Sequence, residues 1–438
     1  MDQLPQSSFA RRRASILEAL PDQSALLLPT APERPRSGDT HYPYRPDSDF
    51  YYVTGFPEPH AWALLKKVDG ATSYTLFVQP KDPAREVWTG VRQGVAGAQE
   101  NYGADDAFDV GELDQRLKTA LEPITNLHFA FGRHPAQESR LSSILSAVRT
   151  GRKSGLGPVS ITDPGALLAE MRLHKTSDEI DLMRVGARIT DEAHRLSMAQ
   201  VRPGMYEYEI EALLQYTFRR HGAWGWAYPS IVGGGANACV LHYIENNSMF
   251  REGDLMLIDA GAEIDGYATD VTRTSPVSGR FSGPQRDLYA LVLTVQEQAI
   301  EATKPGATID AIHDEVVRNL SDGMIQLGLL QGSVDSVIET ESFRRYYMHR
   351  TSHWLGLDVH DVGRYHDPHG PARALEPGMV ITIEPGLYIP SDDEQAPDAF
   401  RGTGIRIEDD ILVTEDGFDN LTASIPKTPE DIEALRLE

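Results

Sequence analysis

The chain has 438 residues, 40% of them apolar, enough to bury sizeable cores, and its length predicts two or three domains. Its formal net charge of −24 argues against a nucleic-acid partner, because that affinity rests on phosphate neutralisation by Lys and Arg. The one cysteine, Cys239, excludes an intrachain disulfide and suits a reducing compartment, the cytoplasm, and no segment approaches the roughly 18 apolar residues of a membrane span.

In chain order, Arg11-Arg12-Arg13 is followed by Ser15 to Asp22, whose charges and proline are unlike the apolar core of a signal peptide. The first part then mixes short strand signals, such as Ser73 to Val78, with helical stretches and Gly/Pro-rich connections. A loop rich in Gly, Ser and Pro runs from Gly151 to Gly165. Leu167 to Arg172 reads as helical, and Thr176 with Glu179 forms a capping box that starts a helix through Ile180, Met183 and Ala187. That cap divides the chain into an N-terminal domain, residues 1–174, and a C-terminal domain, residues 175–438. The fold class is α/β, in the α+β sense. Gly233-Gly234-Gly235 lacks the Lys-Ser/Thr of a phosphate loop and reads as a flexible turn. Cys239 sits in no thiol protease motif and reads as a small buried apolar residue. Neither H-E-x-x-H nor G-x-S-x-G occurs.

The segment Leu255 to Asp270 reads as an apolar strand, an Asp265-Gly266 turn and a second strand. Pairing Ile264 with Tyr267 puts Asp270 opposite Gly261, two residues along from Asp259, so both carboxylates share one face. Diagonal neighbours of this kind lie roughly 7 to 8 Å apart at the backbone. Two like charges converging there need a cation. A solvated hairpin is the alternative, but Asp259 ends an apolar run, and a buried carboxylate must be paired or bind metal.

Met379 to Glu384 is an apolar strand introduced by Pro377-Gly378 and ended by Pro385. In Ile405-Arg406-Ile407-Glu408, Arg406 and Glu408 share a strand face, where the guanidinium can hold a neighbouring carboxylate ionised; an exposed salt bridge is the alternative. His349, His353 and His360 cluster among apolar residues. An imidazole among mostly oxygen ligands suits manganese or cobalt, with zinc less favoured for want of sulfur, and two metals sharing bridging carboxylates would explain the number of acids.

The motifs Leu257-Ile258-Asp259-Ala260-Gly261, Thr269-Asp270-Val271-Thr272-Arg273-Thr274, Ser352-His353-Trp354-Leu355-Gly356, Glu384-Pro385-Gly386 and Gly404-Ile405-Arg406-Ile407-Glu408-Asp409 resemble the aminopeptidase P branch of the creatinase and methionine aminopeptidase superfamily, metallopeptidase family M24. Tyr42 to Phe56 resembles the opening domain of those enzymes. The resemblance implies a pita-bread catalytic fold, two divalent metal ions per chain, usually manganese with cobalt or zinc as alternatives, and removal of the first residue from peptides whose second residue is proline. It places the metal ligands at Asp259, Asp270, His353, Glu384 and Glu408. Asp270 and Glu408 would bridge, Asp259 would be terminal on one ion, and His353 and Glu384 would bind the other. A hydroxide held between the ions would attack the scissile carbonyl, and Glu384 would pass its proton to the departing proline nitrogen. His360 would help stabilise the oxyanion, and His242 and His349 would line the proline pocket. The family's usual glycine after that last histidine is Arg350 here.

By the same resemblance Trp88 reaches a neighbouring subunit's active site in a homo-oligomer, a tetramer or else a dimer, with an ordinary core aromatic as the alternative. The rival functions are a prolidase on the same fold, a non-catalytic binding module and a metal-free hydrolase of creatinase type. The short span between the two glutamate motifs opposes the first, and the intact ligand set opposes the others.

Overall fold

Two Asp-Gly turns organise the strands of this protein. The computed structural model describes residues 3–150, 156–367 and 370–436, and the chain divides into two units, Leu4–Glu170 and Met171–Glu438.

In the first unit Asp69 and Gly70, with φ of +50° and +75°, join Trp62–Val68 to Ala71–Val78 in the turn geometry that matches strand twist. The six-stranded mixed sheet runs in the order Asp106–Asp109, Ala71–Val78, Trp62–Val68, Ser24–Pro29, Asn126–His128, Ser160–Thr162. Its outermost strand falls inside the stretch expected to be a loop. Ser160–Thr162 is held by parallel pairing to Asn126–His128, and three residues, half-buried or exposed, are too few to show a period. Residues 151–155 of that stretch lie outside the described residues. Tyr42 to Phe56 contains the helix Ser48–Thr54, capped by the Asp47 carboxylate, which accepts from the backbone of Asp49 and Phe50. Trp88 lies on the helix Pro83–Thr89 and is 87% exposed, which rules out the core-aromatic reading.

The second unit opens with the expected capping box, in which Glu179 accepts from the Thr176 backbone at 2.9 Å and starts the helix Ser177–Gln200. Its strands form two similar ladders. Leu255–Asp259 pairs with Thr272–Pro276, and beyond a break Ala262–Ile264 pairs with Tyr267–Ala268. Val380–Ile383 pairs with Asp409–Val413, and beyond a break Gly386–Ile389 pairs with Thr403–Arg406. The apolar inner faces pack with the helices Gly283–Glu301 and Ile309–Gln326 in one large core containing Leu288, Val292, Ile312, Val316, Ile381 and Ile405.

The Gly233 run is not a flexible turn. Ile231–Gly234 is a strand antiparallel to Leu255–Asp259. A Cβ on Gly233 would lie 3.0 Å from the Ala238 backbone, and one on Gly234 2.7 Å from the Phe250 ring, so the glycines serve close packing. Cys239 is half-buried, its Sγ 3.4 Å from the Ile389 carbonyl, and burial pushes its thiol up to about 12.

Candidate metal centre

The acidic side chains sit where the two ladders break. Asp265 and Gly266, with φ of +49° and +84°, set the first register. Asp259 faces Thr272, and Ala260 N donates to Val271 O at 3.0 Å. Thr269 N donates to Ala262 O at 3.1 Å, leaving Asp270 opposite Gly261 as the sequence implied. A side chain at Gly261 is excluded, since a Cβ there would lie 1.6 Å from the Thr269 carbonyl. In the second ladder Ile383 pairs with Asp409, Gly386 pairs with Arg406, and Ile407 N donates to Pro385 O. The register is unbroken, so Glu384 falls opposite Glu408, and Glu408 lies in the gap just past the strand that carries Arg406.

Asp270, His353 and Glu408 each offer a ligand atom, and these atoms lie within 4.8 Å of one another. His353 Nε2 is 3.3 Å from Asp270 Oδ2 and 3.7 Å from Glu384 Oε1. Its Nδ1 sits 3.0 Å from the Trp354 carbonyl, which accepts the Nδ1–H and fixes the ring so that Nε2 is the atom facing the acids. Asp259 accepts from Arg406 Nη2 and from the Tyr228 hydroxyl, each at 2.6 Å, and the same hydroxyl touches Asp270.

This donor set fits divalent cations. Burial pushes the Asp259 carboxyl up against the opposing pull of Arg406, and it pushes Glu384 up to about 7. Glu408 is raised well above the usual range by burial and by the neighbouring acids. Burial opposes charging of His353, yet its contact with Asp270 and the field of Glu384 outweigh this and raise it to about 9. The Tyr228 hydroxyl has one proton for two carboxyls. Four converging carboxylates therefore exceed the positive charge that Arg406 and His353 supply, and oxygen-rich sites of this kind are satisfied by hard or borderline cations.

The centre lies in a cleft of about 1220 Å³ whose walls also carry His242, His349, His360 and Arg406. His349 Nε2 is 2.8 Å from the Tyr388 hydroxyl, and the His360 ring stands edge-on to His353 with centroids 4.4 Å apart. The next residue, Asp361, is buried and bound to Arg172 Nη2 at 2.5 Å and Lys175 Nζ at 3.2 Å, fixing the loop that carries His360. Trp88 belongs to the first unit and is not among the residues lining this cleft.

Sequence reasoning passed over Tyr228, Thr272 and Tyr388. Thr272 Oγ1 donates to Glu408 Oε2 at 2.6 Å, and Tyr388 accepts from Arg406 Nη1 at 3.0 Å. Strand period two puts Thr272 on the face of Asp270 and Tyr388 on that of Glu384, a readable signal. Tyr228 reaches the site from a distant segment, and nothing local marks it.

The family model for metallopeptidase family M24 matches residues 181–415, and that for the aminopeptidase P N-terminal domain matches residues 9–128. The Xaa-Pro aminopeptidase of Escherichia coli K12 is 45% identical over 437 residues, covering 99% of this chain and 98% of its own. The structure of Pseudomonas aeruginosa aminopeptidase PepP superimposes with a TM-score of 0.97 at 44% identity over 100% of this chain and 99% of that one. That of E. coli aminopeptidase P with the inhibitor Pro-Leu gives 0.96 at 44% identity, covering 99% of both. Agreement of sequence and fold over the whole length means that the chain belongs to metallopeptidase family M24, in its Xaa-Pro aminopeptidase branch.

Proposed function

We propose that this protein hydrolyses the bond between an N-terminal residue and a following proline, using two divalent cations, manganese in the cell. The observation that carries the reading is the convergence of Asp259, Asp270, His353, Glu384 and Glu408 at the floor of a cleft large enough for a peptide. Asp270 and Glu408 would hold both ions, Asp259 one, and His353 and Glu384 the other. Such ions lower the pKa of water from about 15.7 towards 7 and polarise a carbonyl.

The chain's own groups do the rest. Glu384, facing the cleft, takes the proton of the attacking water and delivers it to the departing proline nitrogen. His360 donates to the oxyanion as it forms. His242 and His349 flank the proline ring, and the free amino terminus lies beside Asp259. Arg406, fixed by Thr272, Tyr388 and Asp259, holds the acid wall in place. The first 174 residues form a domain for oligomer contact, with Trp88 offered to a neighbouring subunit in a homotetramer. A cytoplasmic location agrees with the single thiol, and no helix among the described residues is long and apolar enough to cross a membrane.

The test is hydrolysis of an Xaa-Pro-Yaa tripeptide against an Xaa-Pro dipeptide by manganese-loaded protein. The tripeptide is cleaved after its first residue and the dipeptide is a poor substrate; faster turnover of the dipeptide would move the assignment to prolidase.

A further inference from the structure

The cleft is strongly anionic, lined by Asp259, Asp270, Asp310, Asp314, Glu384 and Glu408. Two guanidinium groups also line it. Arg406 is buried and its donors are committed to Thr272, Tyr388 and Asp259. Arg350 differs. Its side chain is 56% exposed, and among the described residues its one hydrogen bond runs from Nη2 to Asp310 Oδ1. The other carboxylate oxygen of Asp310 is 2.7 Å from His366 Nε2, and Asp310 sits in the first turn of the helix Ile309–Gln326, capped by Thr308. The pair Asp310 and His366 therefore holds the Arg350 fork at the lip of the cleft with its remaining N–H groups turned to solvent.

We propose that Arg350 is a specificity-determining residue that binds a carboxylate on the part of the peptide beyond the proline. The inference rests on the Xaa-Pro peptide reading above. With the amino terminus beside Asp259 and proline beside His349, a longer peptide would run along the cleft wall that carries the half-exposed Arg350. A planar guanidinium with free parallel donors matches a carboxylate in two-pronged fashion, where an ammonium would not. Two sources carry this chemistry: the terminal carboxylate of a tripeptide, and an Asp or Glu side chain in a longer peptide. Asp314, exposed one helical turn beyond Asp310, opposes the attraction and limits it.

The test uses the full-length manganese enzyme and three peptides: Ala-Pro-Ala, Ala-Pro-Ala-amide and Ala-Pro-Glu-amide. At low salt the carboxylate-bearing peptides gain about tenfold in kcat/KM over Ala-Pro-Ala-amide, the worth of a charge-assisted pair at a partly exposed site, and the gain lies in KM. In Arg350→Gln the ratio falls to about one, Arg350→Lys keeps part of it, and Asp314→Asn raises it. A gain confined to Ala-Pro-Ala supports the proposal with the terminal carboxylate as source, and one confined to Ala-Pro-Glu-amide supports it with the side chain. Equal kcat/KM for all three peptides, or a ratio that survives Arg350→Gln, overturns the proposal alone. Failure of the wild-type enzyme to cleave any of the three overturns the Xaa-Pro reading as well, which separates the two.

Discussion

Thr272 gives its hydroxyl to Glu408 at 2.6 Å, tying the first ladder of the second unit to the break in the other. The same oxygen accepts from Arg406 Nε at 3.0 Å, and Glu408 N donates to Thr272 O at 3.1 Å. A carboxylate fixed this way meets a cation without having to be ordered first.

Replacing Thr272 by Val keeps the shape and removes the hydroxyl, so Glu408 loses its orienting partner. Metal affinity of Thr272→Val falls about 10- to 100-fold, the usual cost of losing a partner that orients a ligand, while Thr272→Ser stays near wild type. Calorimetric titration of metal-stripped protein with manganese reads this directly. Equal affinities in wild type and Thr272→Val would refute it.

Asp270 touches both the Tyr228 hydroxyl and His353 and is buried. In Asp270→Ala, bound metal falls below about two equivalents per chain and turnover is abolished, because water in its place cannot balance the charge of two cations. Elemental analysis with an activity assay checks it. Full occupancy with normal turnover would sink the two-metal reading.

How far these features were legible depends on what fixes each residue. Asp259 and Asp270 could be placed from the sequence because Asp265 and Gly266 form a two-residue turn that sets register by itself. Glu384 opposite Glu408 could not, because Ile389 and Thr403 are joined by a long connection and register there follows from packing. Arg406 was readable as the partner of a carboxylate, and it is Asp259 that it holds. The Gly233 run misled because glycine permits both a loose turn and a tightly packed strand, and only the Ala238 and Phe250 contacts decide between them. Asp310 with Arg350 and His366 depends on three distant segments meeting.

A further expectation concerns acid stability. His194 is fully buried, its Nε2 donates to the Ala260 carbonyl at 2.9 Å, and its Nδ1 has no partner among the described residues. Burial is the main cause that lowers its pKa from 6.5 to about 4, with Arg273 adding to it and the Ala260 bond opposing. The folded state therefore binds a proton less readily than the unfolded one. Stability is complete above pH 6.5 and is lost as pH falls from there towards 4, by about 3 kcal/mol in all. Gln at this position can still donate to Ala260 O and does not titrate, so denaturant unfolding of His194→Gln shows a shallower slope between pH 7 and 5. Parallel slopes for the two proteins would contradict the account.

The last expectation concerns the first unit, where Val87, Trp88 and Val91 are 83%, 87% and 84% exposed. Three large apolar side chains this open, on and just after a short helix, form a surface that association would cover. The residues proposed as ligands all lie beyond residue 174, so a separate α/β unit needs another purpose, and oligomer contact with a reach towards a neighbour's peptide supplies one. The protein then sediments as a homo-oligomer, a tetramer. Trp88→Ala weakens peptide binding, seen as a raised KM, while its bound metal stays at the wild-type level. Because Trp88 makes no core contribution, the folding free energy of the variant's protomer stays within about 0.5 kcal/mol of wild type, the usual range for a surface substitution. A fully active monomer in sedimentation velocity would refute the oligomer, and a Trp88→Ala enzyme with unchanged KM would remove Trp88 from the substrate's surroundings.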